Sequence, residues 1–375
     1  MARIELTSRE KIGQLFMVGF IGTSVTPELA SFFKEYKPGG VILFSRNLES
    51  VEQIIELTNN LQRCSPRSPL LISIDQEGGR VSRLPSDFTI FPPCELLGRC
   101  RSGELAYAAA ASTAKELRAV GINMNMAPVL DVNSNPDNPV IGDRAFGAAP
   151  DVVSEIGLIT LAGFQDNRVV ACGKHFPGHG DTSTDSHKEL PVVAAARERL
   201  EAVELPPFRC AVSARVATMM TAHVLYKALD DRLPATLSRT IITHLLREDL
   251  QYDGVVLTDD LEMHAIMDHY GSGDASILAL EAGCDMLLIC KDRDREIAAF
   301  DAVEQAVASG RIGTERLDQS VARIQRLKRH FLIPYKPAIL SDAKLVVGCR
   351  THHALLRNIE RAGERLNKLS VVKDG

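Results

Sequence analysis

The sequence predicts an α/β fold, a single-domain (β/α)8 TIM-type barrel with a short helical C-terminal appendage. Short apolar segments alternate with segments of helical periodicity eight times along most of the chain. Several of the apolar segments, such as VILF, GVVL and MLLIC, are continuous runs, which is typical of parallel strands covered by helices. Eight such units close a barrel of about 250 residues plus insertions. An open doubly wound sheet is the alternative, but no GxGxxG motif opens any unit.

The strands are predicted where short apolar runs are bounded by turn residues. In chain order they are residues 14–20, 41–44, 70–74, 123–129, 169–172, 217–224, 254–257 and 286–290. The helices between and after them are predicted from apolar spacings of three and four. The first of these helices begins at Pro27. The others cover residues 51–63, 104–120, 152–165, 197–203, 238–248, 274–282 and 293–309.

Two capping signals support the first helices. Thr7 with Glu10 is predicted to form a capping box, and Thr26 is predicted to cap a helix with Pro27 in its first position. Residues 1–333 are predicted to form the barrel domain, which ends with one more helix. Residues 334–375 follow a proline-punctuated joint, and we expect a helical extension that is not an independent domain.

The composition excludes several classes of partner. Forty-three basic and 48 acidic residues give a net charge of −5 without a long run of like charge, so neither nucleic acid nor a membrane is expected as a partner. The apolar stretch at residues 15–20 is too short for a signal sequence, and we expect a cytoplasmic protein. The eight cysteines form no CxxC pair and are expected to be reduced thiols. We expect a monomer, with a weak dimer as the alternative.

Polar residues follow five of the predicted strands, at the end of the barrel where such folds place their chemistry. They are Asp75 to Arg83, Asp131 with Asp143 and Arg144, Lys174 with His175, His223, and Thr258 with Asp259 and Asp260. Taken singly, several have a structural explanation: Asp259 with Glu262 resembles a capping box, and His223 is explained by an interior hydrogen-bonded ring. Five polar strand ends together predict a functional site.

The segment KHFPGHGDTSTDSHKELP, residues 174–191, adds a loop rich in titratable groups. Asp185 precedes His187 by two residues, so a turn can bring the carboxylate to the imidazole. Such a carboxylate would favour the charged ring and make His187 a proton donor near neutral pH. Zinc is an alternative, because His175, His179 and His187 are competent ligands. However, the spacing matches no HExxH motif, and Lys174 would repel a dication.

Four segments together resemble family 3 glycoside hydrolases, in particular bacterial β-N-acetylglucosaminidases. They are KHFPGHGDTSTDSHKELP, IDQEGGRVSRL, IGDRAFG and GVVLTDDLEM, in matching order. The resemblance implies that Asp259 is the nucleophile and that His187 is the general acid/base, with Asp185 as its dyad partner. It further implies sugar-binding roles for five residues: Asp75, Arg83, Arg144, Lys174 and His175. It implies no metal and no organic cofactor.

The resemblance also implies a reaction and a substrate. The expected enzyme is a retaining exo-β-N-acetylglucosaminidase that removes terminal GlcNAc from muropeptide fragments during cell-wall recycling. Since the chain has no tryptophan, a single sugar would be held mainly by polar contacts. Substrate-assisted hydrolysis using the Asp259-Asp260 pair and phosphorolysis remain open. Two alternatives from other classes of protein also remain open: a zinc-dependent barrel hydrolase or lyase, and a catalytically silent sugar-binding protein.

Overall fold

The computed structural model describes residues 6–186 and 188–373, the last five of these as backbone only. The strands are β1 (Phe16–Val18), β2 (Gly40–Leu43), β3 (Leu71–Ile74), β4 (Met124–Asn125), β5 (Val170–Phe176), β6 (Val192–Val193), β7 (Thr218–Thr221), β8 (Leu225–Tyr226), β9 (Val255–Asp260) and β10 (Met286–Ile289). Eight of them close a barrel in the order β1-β10-β9-β7-β5-β4-β3-β2, with every neighbouring pair parallel. The predicted (β/α)8 fold is confirmed.

Helices cover the outside of the barrel. They are α1 (Ser8–Gln14), α2 (Pro27–Tyr36), α3 (Val51–Arg63), α4 (Cys94–Cys100), α5 (Gly103–Ala119), α6 (Pro150–Asp166), α7 (Arg197–Arg199), α8 (Pro206–Ser213), α9 (His264–Ala282), α10 (Arg293–Ala308), α11 (Thr314–Leu332), α12 (Leu340–Val346) and α13 (Arg350–Lys373). Two π-helical segments, Leu200–Glu204 and Thr240–Asp249, complete the helical layer. Both predicted capping signals are confirmed, since Thr7 and Glu10 form the reciprocal box and Thr26 caps α2.

Most elements differ from their predicted bounds by a few residues, and three differences illustrate what the sequence pattern missed. Strand β4 ends after Asn125, because Pro128 lacks an N–H to continue the ladder. The predicted strand over 217–224 ends at Thr221, and Leu225 then pairs with β6 in a separate two-stranded sheet. Helix α9 starts at His264, ten residues before the predicted start at 274, with a kink at Gly271 whose φ is +71°.

Apolar side chains fill both the barrel interior and the interface between strands and helices. On α3, for example, Ile54, Leu57 and Leu61 lie on one face and are buried against the barrel. All four residues of β2 and of β3 are buried as well. Burying each large apolar side chain contributes about 1.5–3 kcal/mol, so this layer holds the strand ends in fixed positions.

Helices α12 and α13 make up most of the described C-terminal extension, in agreement with the predicted helical appendage. Helix α13 packs on α4 and α5, where Ile359 is fully buried in an apolar cluster with Leu97 and Phe146. That this extension is not an independent domain stays a prediction. All eight cysteines are free thiols. Within the described ranges, no helix combines the length and the hydropathy needed to cross a lipid bilayer.

Candidate active site

A cavity of about 350 Å³ opens at the carboxyl ends of the barrel strands. Seven of the eight predicted site residues line it: Asp75, Arg83, Arg144, Lys174, His175, Asp185 and Asp259. The eighth, His187, lies outside the described residues. These side chains come from four separate strand ends and from the loop after β5, so barrel closure brings them together.

A buried carboxylate, Glu77, organises the cations on one wall of the cavity. The Lys174 Nζ lies 2.8 Å from Asp75 Oδ1 and 2.7 Å from Glu77 Oε1. Arg144 donates to both Glu77 oxygens, with Nε at 2.8 Å and Nη2 at 2.9 Å. We call these four residues the Glu77 cluster. The Glu77 side chain is only 1% exposed, so its two cationic partners replace the water that the carboxylate loses.

The electrostatics of the Glu77 cluster keep Glu77, Lys174 and Arg144 charged. Burial opposes ionisation of Glu77, but the charges of Lys174 and Arg144 outweigh it and hold the pKa of Glu77 far below its ordinary value. Burial likewise disfavours the Lys174 ammonium, yet Asp75 and Glu77 raise its pKa above the usual range. The wall therefore presents fixed cations and carboxylates of the kind that bind sugar hydroxyls.

A second buried carboxylate, Asp131, orients His175. The ring Nδ1 of His175 lies 2.7 Å from Asp131 Oδ2, and Asp131 Oδ1 accepts the backbone N–H groups of His175 and His179 at 3.1 and 2.6 Å. Since Asp131 is fully buried, this arrangement assigns the proton to Nδ1 and leaves Nε2 for a ligand. Burial raises the pKa of Asp131, but the His175 ring and the other donors bring it below its ordinary value.

Asp259 is the next-to-last residue of strand β9 and is partly buried. Burial raises the pKa of Asp259, but the rings of His175 and His223 and the Asp260 backbone N–H, 2.8 Å from Asp259 Oδ1, bring it below its usual range. The carboxylate is therefore ionised at neutral pH. The capping-box interpretation of Asp259 is wrong, because α9 begins five residues later, with Met263 in the capping position.

Glu262, the other half of that supposed capping box, has a different role. Its carboxylate accepts the backbone N–H groups of Cys290, Lys291 and Asp292, at 2.9, 2.6 and 3.1 Å, and so fixes the loop after β10. His223 is buried, with Nδ1 2.7 Å from Thr236 Oγ1 and Nε2 3.0 Å from the Asp260 carbonyl. Its hydrogen bonds match the interior explanation proposed for it.

Asp260, the neighbour of Asp259, has the opposite electrostatics. Burial, followed by the charges of Glu262 and Asp259, raises the pKa of the Asp260 carboxyl to about 7. Because its pKa is raised in the folded state, the Asp260 carboxyl contributes to the free energy of unfolding through its protonated form. This contribution is fully present below the pKa of an unfolded aspartate, roughly 3.9, and is lost as pH rises through 7. Two neighbouring aspartates thus have pKa values shifted in opposite directions.

We expect Asp260→Asn to raise the melting temperature by a few degrees at about pH 8 and by less at about pH 5. The amide oxygen can still accept the Glu262 N–H, which lies 3.0 Å from Asp260 Oδ1, so only the unfavourable charge is removed. Thermal melts of both proteins across this pH range measure the difference. A variant that melts below the wild-type protein at pH 8 would contradict the shifted pKa.

The first half of the loop after β5 is tightly held. Asn138 Nδ2 donates to the carbonyls of His179 and Gly180, at 2.9 and 3.1 Å, and lies 3.1 Å from Thr182 Oγ1. The backbone N–H of Ala265 donates to the Ser186 carbonyl at 3.3 Å. Asp185 lines the cavity between these two anchors. The described part of this loop is therefore held on both sides of Asp185.

The zinc alternative requires His175, His179 and His187 as ligands. Both ring nitrogens of His179 are engaged, with Nδ1 2.9 Å from Thr182 Oγ1 and Nε2 3.1 Å from Ser186 Oγ. Burial and the nearby His175 lower the pKa of His179 to about 4, so the ring is neutral. Of the residues that the structure describes, no three His, Cys, Asp or Glu side chains are arranged to hold a metal. His187 lies outside that set.

Sequence reasoning placed Glu77 and Asp131 among the polar strand ends but gave them no role. Glu77 stands two residues after Asp75, and in an extended chain such a spacing puts both side chains on one face. That spacing is a usable indication for Glu77. For Asp131, only the observed contact with His175 reveals the pairing.

Known proteins resemble this chain over most of its length. A family model described as "Glycosyl hydrolase family 3 N terminal domain" matches residues 7–327. "Beta-hexosaminidase A" of Pseudoalteromonas piscicida is 37% identical over 396 residues, covering 94% of this chain and 66% of that protein. A beta-hexosaminidase of Alkalilimnicola ehrlichii is 43% identical over 280 residues, 73% of this chain and 80% of that protein. A glycoside hydrolase family 3 beta-N-acetylglucosaminidase structure from Paenibacillus sp. str. FPU-7 has a TM-score of 0.93 at 45% identity, covering 96% of this chain and 69% of that chain.

The barrel, the carboxylates at its strand ends and the family match agree, and the chain belongs to glycosyl hydrolase family 3. Since the relatives described above are named beta-hexosaminidases or a beta-N-acetylglucosaminidase, it is a glycoside hydrolase of the β-N-acetylhexosaminidase type, and it acts on sugars. The chain spans about two thirds of the length of the Pseudoalteromonas and Paenibacillus proteins, at 66% and 69%.

Proposed function

We propose that this chain is a retaining exo-β-N-acetylglucosaminidase of the NagZ type, which forms a covalent glycosyl intermediate on Asp259. The observation that carries the proposal is the position of Asp259. Its carboxylate is ionised and partly buried, and it lines the same small cavity as the Glu77 cluster. A retaining glycosidase requires such a carboxylate beside the anomeric carbon of a fixed sugar ring.

The cavity favours one terminal sugar over an extended chain. Its volume of about 350 Å³ is at the lower end of the range for ligand sites. Asp75 accepts sugar hydroxyl hydrogen bonds in this proposal, while Lys174 and Arg144 donate them. His175 adds Nε2 as a further donor or acceptor, and Arg83 also lines the cavity. Held this way, the sugar has its anomeric carbon within reach of Asp259.

In the first step, an Asp259 carboxylate oxygen attacks the anomeric carbon, and the bond from that carbon to the leaving oxygen breaks. The leaving oxygen takes a proton from the His187 imidazolium, which Asp185 orients. In the second step, neutral His187 takes a proton from water, and the resulting hydroxide displaces Asp259 from the sugar. Two inversions leave the anomeric configuration unchanged, which NMR of the first product anomer tests directly.

The role of His187 gives a prediction that depends on the leaving group. We expect His187→Ala to lower kcat by on the order of 10²- to 10⁴-fold for substrates with poor leaving groups, which need protonation. With activated aryl leaving groups, glycosylation should be nearly unaffected, and the glycosyl enzyme should accumulate because deglycosylation has lost its base. Burst kinetics with two aryl β-GlcNAc substrates of different leaving-group pKa measure this. Equal losses for all leaving groups would rule out the assigned role.

Sugar specificity is tested by comparing p-nitrophenyl β-GlcNAc with the corresponding β-glucoside and β-xyloside, with Asp259→Ala as the blank. We expect the β-GlcNAc substrate to be cleaved far faster than the other two. Product analysis with and without phosphate separates hydrolysis from phosphorolysis. Free GlcNAc under both conditions supports the proposal, and a sugar 1-phosphate formed only with phosphate contradicts it.

We further propose that the natural substrates are muropeptide fragments with a non-reducing GlcNAc, and that the enzyme works in the cytoplasm in cell-wall recycling. The sequence resemblance described above supports this assignment, as does the cavity, which suits a single terminal sugar. Incubation with GlcNAc-anhydro-MurNAc peptides, followed by mass spectrometry, should show loss of one GlcNAc. Cell fractionation tests the location.

A further inference from the structure

A buried glutamate joins the C-terminal extension to the barrel. Glu116 lies on α5 and is 1% exposed. Its Oε2 accepts the backbone N–H of Thr89 at 2.9 Å, and its Oε1 accepts the backbone N–H of Gly348 at 3.2 Å. The Nδ1 of His352, on α13, donates to the same Oε1 at 2.6 Å. One carboxylate thus ties the loop after β3 to the start of α13.

The approach between the extension and that loop is close enough to require glycine. Gly348 has a φ of +58°, and a Cβ there would lie 2.4 Å from the Asp87 carbonyl oxygen. Farther along α13, a Cβ on Gly363 would lie 2.5 Å from Leu96 Cδ1. Ile359 is buried between these two contacts. The extension therefore packs on residues 87–97 along a continuous line.

The same residues support the turn that carries Glu77. The backbone N–H of Gly79 donates to the Phe91 carbonyl at 2.9 Å, and a Cβ on Gly78 would lie 2.7 Å from the Pro92 carbonyl oxygen. Cys94, the first residue of α4, places its Sγ 3.7 Å from the Glu77 carbonyl oxygen. The segment 87–97 thus contacts the extension on one side and the turn at Glu77 on the other.

We propose that residues 348–363 form a brace that positions the Glu77 cluster, with Glu116 and His352 as positioning residues for the reaction. The brace lies beyond the matched family segment, which ends at residue 327. The proposal rests on the proposed function, since it assumes that Lys174 and Arg144 hold the sugar. When the brace is loosened, the turn at Glu77 shifts, and the two cations lose the geometry in which they meet the sugar hydroxyls.

His352 offers a matched pair of substitutions. The amide nitrogen of asparagine can take the place of the ring Nδ1, whereas the amide of glutamine reaches toward the Nε2 position. We expect His352→Asn to keep the wild-type KM for p-nitrophenyl β-GlcNAc. His352→Gln and His352→Ala should raise KM about five- to tenfold, with a smaller change in kcat. The control is Lys344→Ala, which removes an exposed ion pair of the same extension with Glu52 and should change neither constant.

The outcomes separate a positioning role from plain support of the fold. A purely structural role would lower the active fraction, and hence the apparent kcat, without a change in KM and without rescue by asparagine. An unchanged KM, or a failure of asparagine to restore the wild-type KM, overturns the proposal. A wild-type KM in His352→Gln does so too. If His352→Ala does not fold, the asparagine–glutamine pair still decides.

A second readout does not depend on activity. Amide hydrogen exchange of residues 78–93 should be faster in His352→Gln than in His352→Asn, while exchange in the barrel strands should not change. Equal exchange in the two variants would overturn the brace. If the wild-type enzyme cleaves no β-GlcNAc substrate, the proposed function fails, and this exchange experiment still tests the brace.

Discussion

Replacement of Asp259 by Asn is expected to lower kcat for β-GlcNAc hydrolysis by on the order of 10⁴-fold or more. The amide has no charge with which to stabilise the oxocarbenium-like transition state and cannot form the glycosyl ester. The substitution keeps the size of the side chain and an oxygen that can accept the Asp260 N–H. Folding should therefore be retained, and KM should change far less than kcat. Initial rates with aryl β-GlcNAc substrates measure both constants.

Trapping tests the same residue chemically. A slow 2-fluoro glycoside should label the wild-type enzyme on the peptide that contains Asp259, and Asp259→Asn should remain unlabelled. Asp268→Asn, an exposed carboxylate on α9 paired with His264, is the matched control and should keep wild-type rates and labelling. An enzyme that turns over normally but never becomes labelled would favour substrate-assisted hydrolysis. A fully active Asp259→Asn would end the nucleophile assignment.

Glu77→Gln has the second largest expected effect, a loss of about 10²-fold in kcat/KM. Glutamine occupies nearly the same volume, but it removes the negative charge between Lys174 and Arg144 and replaces one acceptor oxygen with a donor. Two cations then face each other across the cavity wall, and their positions relative to the sugar change. Because they bind in both the ground state and the transition state, we expect most of the loss to appear as a rise in KM, with a smaller fall in kcat.

The Glu77 substitution also predicts a pH-dependent loss of stability. A depressed folded-state pKa gives stability that is fully present above the unfolded value, roughly 4.3, and is lost as pH falls. The destabilisation by Glu77→Gln should therefore be largest near neutral pH and shrink under acid conditions. Glu281→Gln is the control, since Glu281 pairs with Arg311 at the surface, where water screens the two charges. Urea melts at two pH values make the comparison, and equal losses for both variants would contradict the buried pair.

Much of the barrel could be predicted from the sequence. Strands buried on both faces appear as short apolar runs, and helices repeat their apolar positions at spacings of three and four. Helix α3 has its predicted bounds for this reason, with Ser50 capping a regular apolar stripe. The length of strand β4 was overestimated because the apolar pattern continues to residue 129, although Pro128 has no N–H to donate to the ladder. The early start of α9 was missed because Gly271 and Gly273 interrupt the helical pattern, whereas in the structure the helix continues past them with a kink at Gly271.

The sequence by itself determined the number of βα units and the residues that end the strands, because both follow from local spacing along the chain. Only the tertiary structure decided which of those residues become partners. Glu77 meets Lys174 and Arg144, Asp131 meets His175, and Glu116 meets His352 across the closed fold. A buried charge needs a partner to replace its hydration. For these residues the partner is far away in the sequence, and only closure of the barrel and packing of α13 bring the two together.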